Sequence, residues 1–313
     1  MYKAFFVTIW EIIKDTFRYF QEDSPMTYGA SIAFYTIFSL PATMVLIIYI
    51  GSTFAEEQLV QGELFDQIRY LVGESSAQQL QRIMENARTS ESQLLAKVIG
   101  IGTLMFSATT VFVNVQEALN HIWHVKPKPK RGFIKFIIDR VFSFAMVSSF
   151  GFILLVSLVI DFLLTIFNDF LERLLSEATV YLIQLLSYSI SLATVIVVFA
   201  LIFKLLPDAK VRWKDVWAGA LVTTALFGIG RYLINLYLSN SNIASTYGVA
   251  GSFVLVLMWI YYSSIILLLG AEFTKAFSHK MGRRILPKKN AVKIIRQEEA
   301  TARVTPREKG KEK

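Results

Sequence analysis

The chain has 313 residues, of which 54% are hydrophobic and only 18% charged, and its formal net charge is +8. A soluble domain of this length carries more charge, so the composition excludes an ordinary soluble enzyme and points to a membrane. Cysteine is absent, which excludes a disulfide scaffold, a thiolate metal site and a cysteine nucleophile.

Residues 3–20 place Phe5, Phe6, Ile9, Trp10, Ile13, Phe17 and Phe20 largely on one helical face, with Lys14 and Arg18 elsewhere. That pattern predicts a short amphipathic helix in the membrane interface, within a unit spanning 1–24. No small-residue cleavage site follows a compact apolar core here, so no secretory signal peptide is expected. Six runs are then long and apolar enough to span a bilayer, at about 29–51, 94–115, 140–163, 180–205, 216–238 and 249–271. They lack two-residue alternation, so strands are not expected. The predicted fold is all-α: a polytopic, six-span membrane domain over 25–275.

The first span holds Pro41, which frees the carbonyl of Ile37 and predicts a kink, with Tyr35, Thr36 and Ser39 beside it. Because transporters place sites at broken helices, Tyr35 and Ser39 are pathway candidates. Segment 52–93 carries two apolar stripes split at Gly73–Ser76 and predicts a pair of outer amphipathic helices, the second capped by Ser76. At the end of the second span, Glu117, His121 and His124 are spaced four and three apart, as weak candidates for a metal site. No fourth ligand is evident; no metal, cofactor or catalytic residue is assigned, and no enzyme signature such as a Walker loop or HExxH occurs.

In the fifth span, Ala220, Thr224, Gly228, Arg231 and Asn235 share one face, whose small residues admit a neighbouring helix. Arg231 is expected to point inward, where its fork of donors suits a phosphate, or to snorkel outward. The sixth span adds Trp259, Tyr261 and Tyr262 at mid-run, and Trp259 and Tyr262 are candidates for lining a polar path beside Asn235. At its end, Glu272 and Lys275 are spaced for an i, i+3 ion pair, and Glu272 is a candidate gate at the inner mouth.

Basic and non-basic loops alternate. Segment 116–139 has five Lys or Arg, 164–179 has Arg173 alone, loop 239–248 has none, and the chain after Glu272 has thirteen against four Glu. This places both termini in the cytoplasm. Residues 276–313 are expected to be a basic, disordered tail near anionic lipid, with no nucleic-acid partner.

The motifs "ASIAFYTIFSLPATMV", "FSATTVFVNVQEALNHIW", "LPDAKVRWKDVWAGALVTT" and "STYGVAGSFVLVLMWIYYSSIILLLGAEF" occur in that order across about residues 25–275. Together they resemble the YihY/BrkB family of bacterial inner-membrane proteins. The resemblance implies a six-span helical fold with cytoplasmic ends in the inner membrane. It also marks Asn120, Trp123, Pro207, Gly219, Arg231, Tyr247, Gly248, Trp259, Gly270 and Glu272 as family-pattern residues. Relatives have carried the label ribonuclease, which no carboxylate or histidine cluster in a soluble domain supports here. The expected function is transport of an anionic lipid or amphiphile, with cation/proton antiport as an alternative. An envelope scaffold recruiting partners through 52–93 and the tail is the reading from another class.

Overall fold

The computed structural model describes residues 2–53, 56–72, 78, 81, 109–128, 177–240 and 249–294. The third span, most of the second, most of the Ser76-capped helix, residues 241–248 and residues 295–313 lie outside the described residues, as does the side chain of Asn235.

The described chain is predominantly helical. Helix α1 covers Tyr2–Glu22, α2 Pro25–Gly51 and α3 Glu57–Val72. Helix α4 covers 109–122. Helices α5 (Glu177–Leu205), α6 (Trp213–Asn240) and α7 (Val249–Lys280) follow. Each lies over a helical segment predicted from apolar periodicity. Helix α2 continues through Pro41 without a break. By length and composition, two of the described helices can cross a membrane, over Trp213–Leu233 and Val256–Lys280.

Helix α7 is the hub, packing on α6, α2 and α1. The largest core cluster joins Leu119 and Ile122 of α4, Phe203 of α5, Val216 and Ala220 of α6, and Leu268 and Ala271 of α7. These residues crowd one end of the bundle, and it is there that the polar network is built.

Short joints fix this end. Between α1 and α2, Asp23 N donates to Tyr19 O and Thr27 N donates to Ser24 O. Pro25 then opens α2 at the first helical position, where a missing N–H costs nothing. Helix α7 stops at Gly282, whose φ of 68° is left-handed. Arg283 N donates to Ser278 O at 2.9 Å and Gly282 N to His279 O at 3.0 Å, the paired bonds of a Schellman cap.

Residues 276–294, expected to belong to a disordered tail, are ordered. The end of α7 is followed by β3 (Leu286–Pro287) and β4 (Ala291–Lys293). Strand β3 pairs antiparallel with β2 (Ala209–Lys210), and β4 pairs antiparallel with β1 (Val125–Pro127). The return segment thus clasps the α5–α6 joint to the end of α4. Strands this short supply no alternating pattern, which is why an all-helical reading did not contain them.

Candidate functional site

A buried ionic network sits where α1, α4 and α7 converge. Asp23 in the α1–α2 joint, Glu272 and Lys275 on α7 are each nearly inaccessible, at 1%, 0% and 3% exposure. The Lys275 ammonium donates to Asp23 Oδ2 and lies 3.4 Å from Glu272 Oε2. On the other side, His124 Nε2 is 3.1 Å from Asp23 Oδ1. Lys275 also lies 4.4 Å from the centre of the Tyr19 ring, a cation–π contact, and Tyr19 Oη is 3.4 Å from His279 Nδ1. Burial alone would raise the Asp23 carboxyl, but the hydrogen bonds and charges of His124 and Lys275 outweigh it and hold the group at about 2. Among the described residues, the buried Glu272 Oε1 has no hydrogen-bond partner.

The sequence places these groups by simple local means. Glu272 and Lys275 meet because three residues along a helix return to one face. His124 follows the end of α4 with a φ of 52°, a conformation usually left to glycine. That turn brings the imidazole beside Asp23. The Trp123 indole is also satisfied, donating to Ala271 O at 3.3 Å.

A second polar brace ties α4 to the α5–α6 joint. Asn120 Nδ2 donates to Asp208 Oδ2 at 2.9 Å, and Asp208 N donates to Asn120 Oδ1 at 2.7 Å. A third joins the first turn of α6 to the return segment, where the Arg283 guanidinium donates to the buried Asp215. Helices α6 and α7 meet through reciprocal glycine and threonine positions. Gly219 faces Thr274 and Gly270 faces Thr223. Each threonine hydroxyl donates four residues back along its own helix, Thr223 to Gly219 O and Thr274 to Gly270 O.

Of the sequence candidates, Glu272 lies at the centre of the network. Ser39 is buried and donates to Thr36 O at 3.1 Å, whereas Tyr35 is largely exposed. Trp259 is half-buried and meets Phe227 edge-on at 6.0 Å. Tyr262 packs against Gly230. Arg231 is half-buried on α6. The proposed small-residue face divides: Ala220 and Thr224 are buried, but nothing described lies within 4 Å of a side chain placed at Gly228. The face against α7 is rotated, carrying Gly219, Thr223 and Gly230 instead.

Glu117, His121 and His124 do not converge. Glu117 is exposed, His121 lies against the Tyr28 ring at 4.7 Å and His124 turns to Asp23. Asp23, Asp208 and Asp215 were missed, since each finds its partner far along the chain. Asn120, Trp123, Pro207, Gly219, Gly270 and Glu272, singled out by the family resemblance, are all buried at this one end.

The chain is similar to a UPF0761 membrane protein of Alteromonas mediterranea, 27% identical over 293 residues that cover 89% of this chain and 94% of the relative. A UPF0761 membrane protein of Pseudoalteromonas translucida is 30% identical over 181 residues, 58% of this chain and 57% of its own length. The ribonuclease-like protein YfkH of Bacillus subtilis is 29% identical over 198 residues, 61% of this chain and 68% of the relative. No solved structure matches. The apolar helices and these relatives make the chain an integral membrane protein. The family model described as virulence factor BrkB matches residues 16–295, and the chain belongs to that family.

Proposed function

We propose that the protein is a six-span transporter of the bacterial inner membrane, with both termini in the cytoplasm, that moves an anionic lipid or other amphiphile. The observation that carries this reading is the buried Asp23–Lys275–Glu272 network. Desolvating three charges is a poor way to stabilise a static scaffold, and ionisable groups inside a membrane domain are functional by default. Here Lys275 and Glu272 of α7 meet Asp23 of the α1–α2 joint, His124 adds the end of α4, and one Glu272 oxygen has no hydrogen-bond partner among the described residues. Such a junction can open and close by exchanging partners. The basic segments 123–128 and 204–214 at this end of the bundle support a cytoplasmic position for it. Helix α1 supports the same placement. It packs on α7, buries Ile12 and Thr16 and exposes Trp10, Ile13 and Phe17, a face suited to the interfacial lipid.

Arg231 and Asn235 would receive the anionic group nearer the outer side, with Trp259 and Tyr262 along the path. The ribonuclease-like label of one relative is not carried over, because Glu117, His121 and His124 diverge. Cation/proton antiport gains weight from the buried carboxylates and is separable by experiment.

The test is vesicle reconstitution of wild type, Glu272→Gln, Arg231→Gln and Arg231→Lys, each first shown to melt like wild type. A fluorescent anionic phospholipid should change leaflets with wild type, slowly with Glu272→Gln and Arg231→Gln, and at an intermediate rate with Arg231→Lys. Wild-type vesicles that move no lipid, or variants that match wild type, overturn the reading. Proton flux driven by a cation gradient alone would establish the antiport alternative.

A further inference from the structure

The return segment creates a second feature at the same end of the bundle. A groove of about 710 Å³ is lined by Lys204, Lys210, Arg212, Trp213, Arg283 and Arg284, with no carboxylate among its lining residues. Two of these cations are engaged. Arg283 donates to Asp215, while the Lys204 ammonium donates to Val211 O and lies 5.2 Å from the centre of the Trp213 ring. The side chains of Lys210, Arg212 and Arg284 have no ion-pair or hydrogen-bond partner among the described residues. Like charges gathered this closely repel one another unless an anion joins them. Helix α6 begins at this groove, and the positive end of its dipole adds to the field. Arginine forks match the oxygens of a phosphate better than those of smaller anions.

The groove also opens onto a face suited to hydrocarbon. Trp213, Trp217 and Leu221 follow at four-residue steps on α6 and are 48%, 42% and 53% exposed. Farther along, Ile229 and Tyr232 are 59% and 65% exposed. Four-residue steps keep to one face, and this helix is long and apolar enough to cross a membrane. Trp213 opens the stretch long and apolar enough to cross a membrane, and tryptophans at a span's end suit the headgroup level. A soluble phosphate compound has no use for that stripe, whereas a lipid uses both parts.

We propose that the Lys210–Arg212–Arg284 groove binds the headgroup phosphate of an anionic phospholipid whose acyl chains lie along Trp217 and Leu221. This site is distinct from the Asp23–Lys275–Glu272 network, and a resident lipid there requires no lipid movement. Failure of binding and failure of transport are therefore separate results.

The test uses the full chain in detergent, with native mass spectrometry and melting curves against phosphatidylglycerol, phosphatidylcholine and inorganic phosphate. Wild type should retain phosphatidylglycerol in preference to phosphatidylcholine. The combined Lys210→Gln, Arg212→Gln, Arg284→Gln variant should lose affinity for phosphatidylglycerol by about tenfold or more. Lys14→Gln, an exposed site on α1, should leave it unchanged. Equal retention of both lipids, or an unaffected triple variant, overturns the proposal. Inorganic phosphate displacing the lipid at equal concentration overturns it in favour of a soluble anion. Should the triple variant fail to fold, quenching by phosphatidylglycerol with brominated chains decides independently. Tryptophan emission should fall in wild type and fall less in Trp217→Phe, and identical quenching in the two proteins overturns the proposal.

Discussion

Asp23 is the residue on which the network turns. Its folded value of about 2 lies below the usual 3.8, so the folded protein binds this proton less tightly than the unfolded chain. That difference stabilises the fold above pH 4 and is lost as pH falls toward 2; at 1.36 kcal/mol per unit it is worth about 2 kcal/mol. Asp23→Asn should therefore lower the melting temperature at pH 7 and flatten its dependence on pH between 4 and 2, as read in detergent melts. Lys275→Met should be harsher. It leaves Asp23 and Glu272 buried without their shared cation, a loss of about 3–5 kcal/mol, measurable by denaturant unfolding. The Glu272–Lys275 pair was legible because helix geometry alone brings positions three apart together. Asp23 was not, because its lysine lies 252 positions away and only the packing of α1 on α7 unites them. Asn120 was marked by family pattern, but its partner Asp208 is 88 positions distant and equally hidden from local reasoning.

At the scale of elements, periodicity located the described helices well and their contact faces less well. On α6, small residues occur on more than one face. Spacing alone therefore favoured Ala220, Thr224 and Gly228, whereas α7 is met by Gly219, Thr223 and Gly230. The threonines decide between these faces. Each hydroxyl donates to its own helix while its oxygen lies against the neighbouring backbone, and Thr223 Oγ1 and Thr274 Oγ1 therefore need a glycine opposite. Substitutions should separate the two faces. Gly270→Ala forces an added carbon into the Thr223 side chain and should cost about 1–3 kcal/mol. Gly228→Ala meets nothing described and removes a flexible residue from a helix, so it should be neutral or stabilising by about 0.5–1 kcal/mol. Gly282→Ala belongs between them: the site is open, and the cost is the left-handed backbone, about 1–2 kcal/mol. Parallel melting curves of the three variants give the order.

Across the whole molecule, the alternation of basic and non-basic loops carries a topology that a cysteine-free chain makes easy to test. Single cysteines at Lys128 and Lys289, both beside the clasp, should react with an impermeant reagent only in inside-out vesicles. A cysteine at Ser245, in the uncharged loop, should react only in right-side-out cells; labelling of all three from one side would refute the six-span arrangement. The clasp itself was invisible in the sequence, since two or three paired residues carry no periodic signal. Its basic residues resemble any positive-inside tail until β3 and β4 find their partners. The Gly–Thr pairs have a consequence for motion at this scale. Gly219 with Thr274 and Thr223 with Gly270 run in opposite directions along antiparallel helices, like the teeth of two meshed racks. Sliding one helix by four residues, about 6 Å, would set the fully buried Thr223 against Thr274 in one direction and Ile266 in the other. Neither leaves room for it. Helices α6 and α7 are thus geared to travel together, whereas among the described residues the seams that α7 shares with α1 and α2 carry no such Gly–Thr pair.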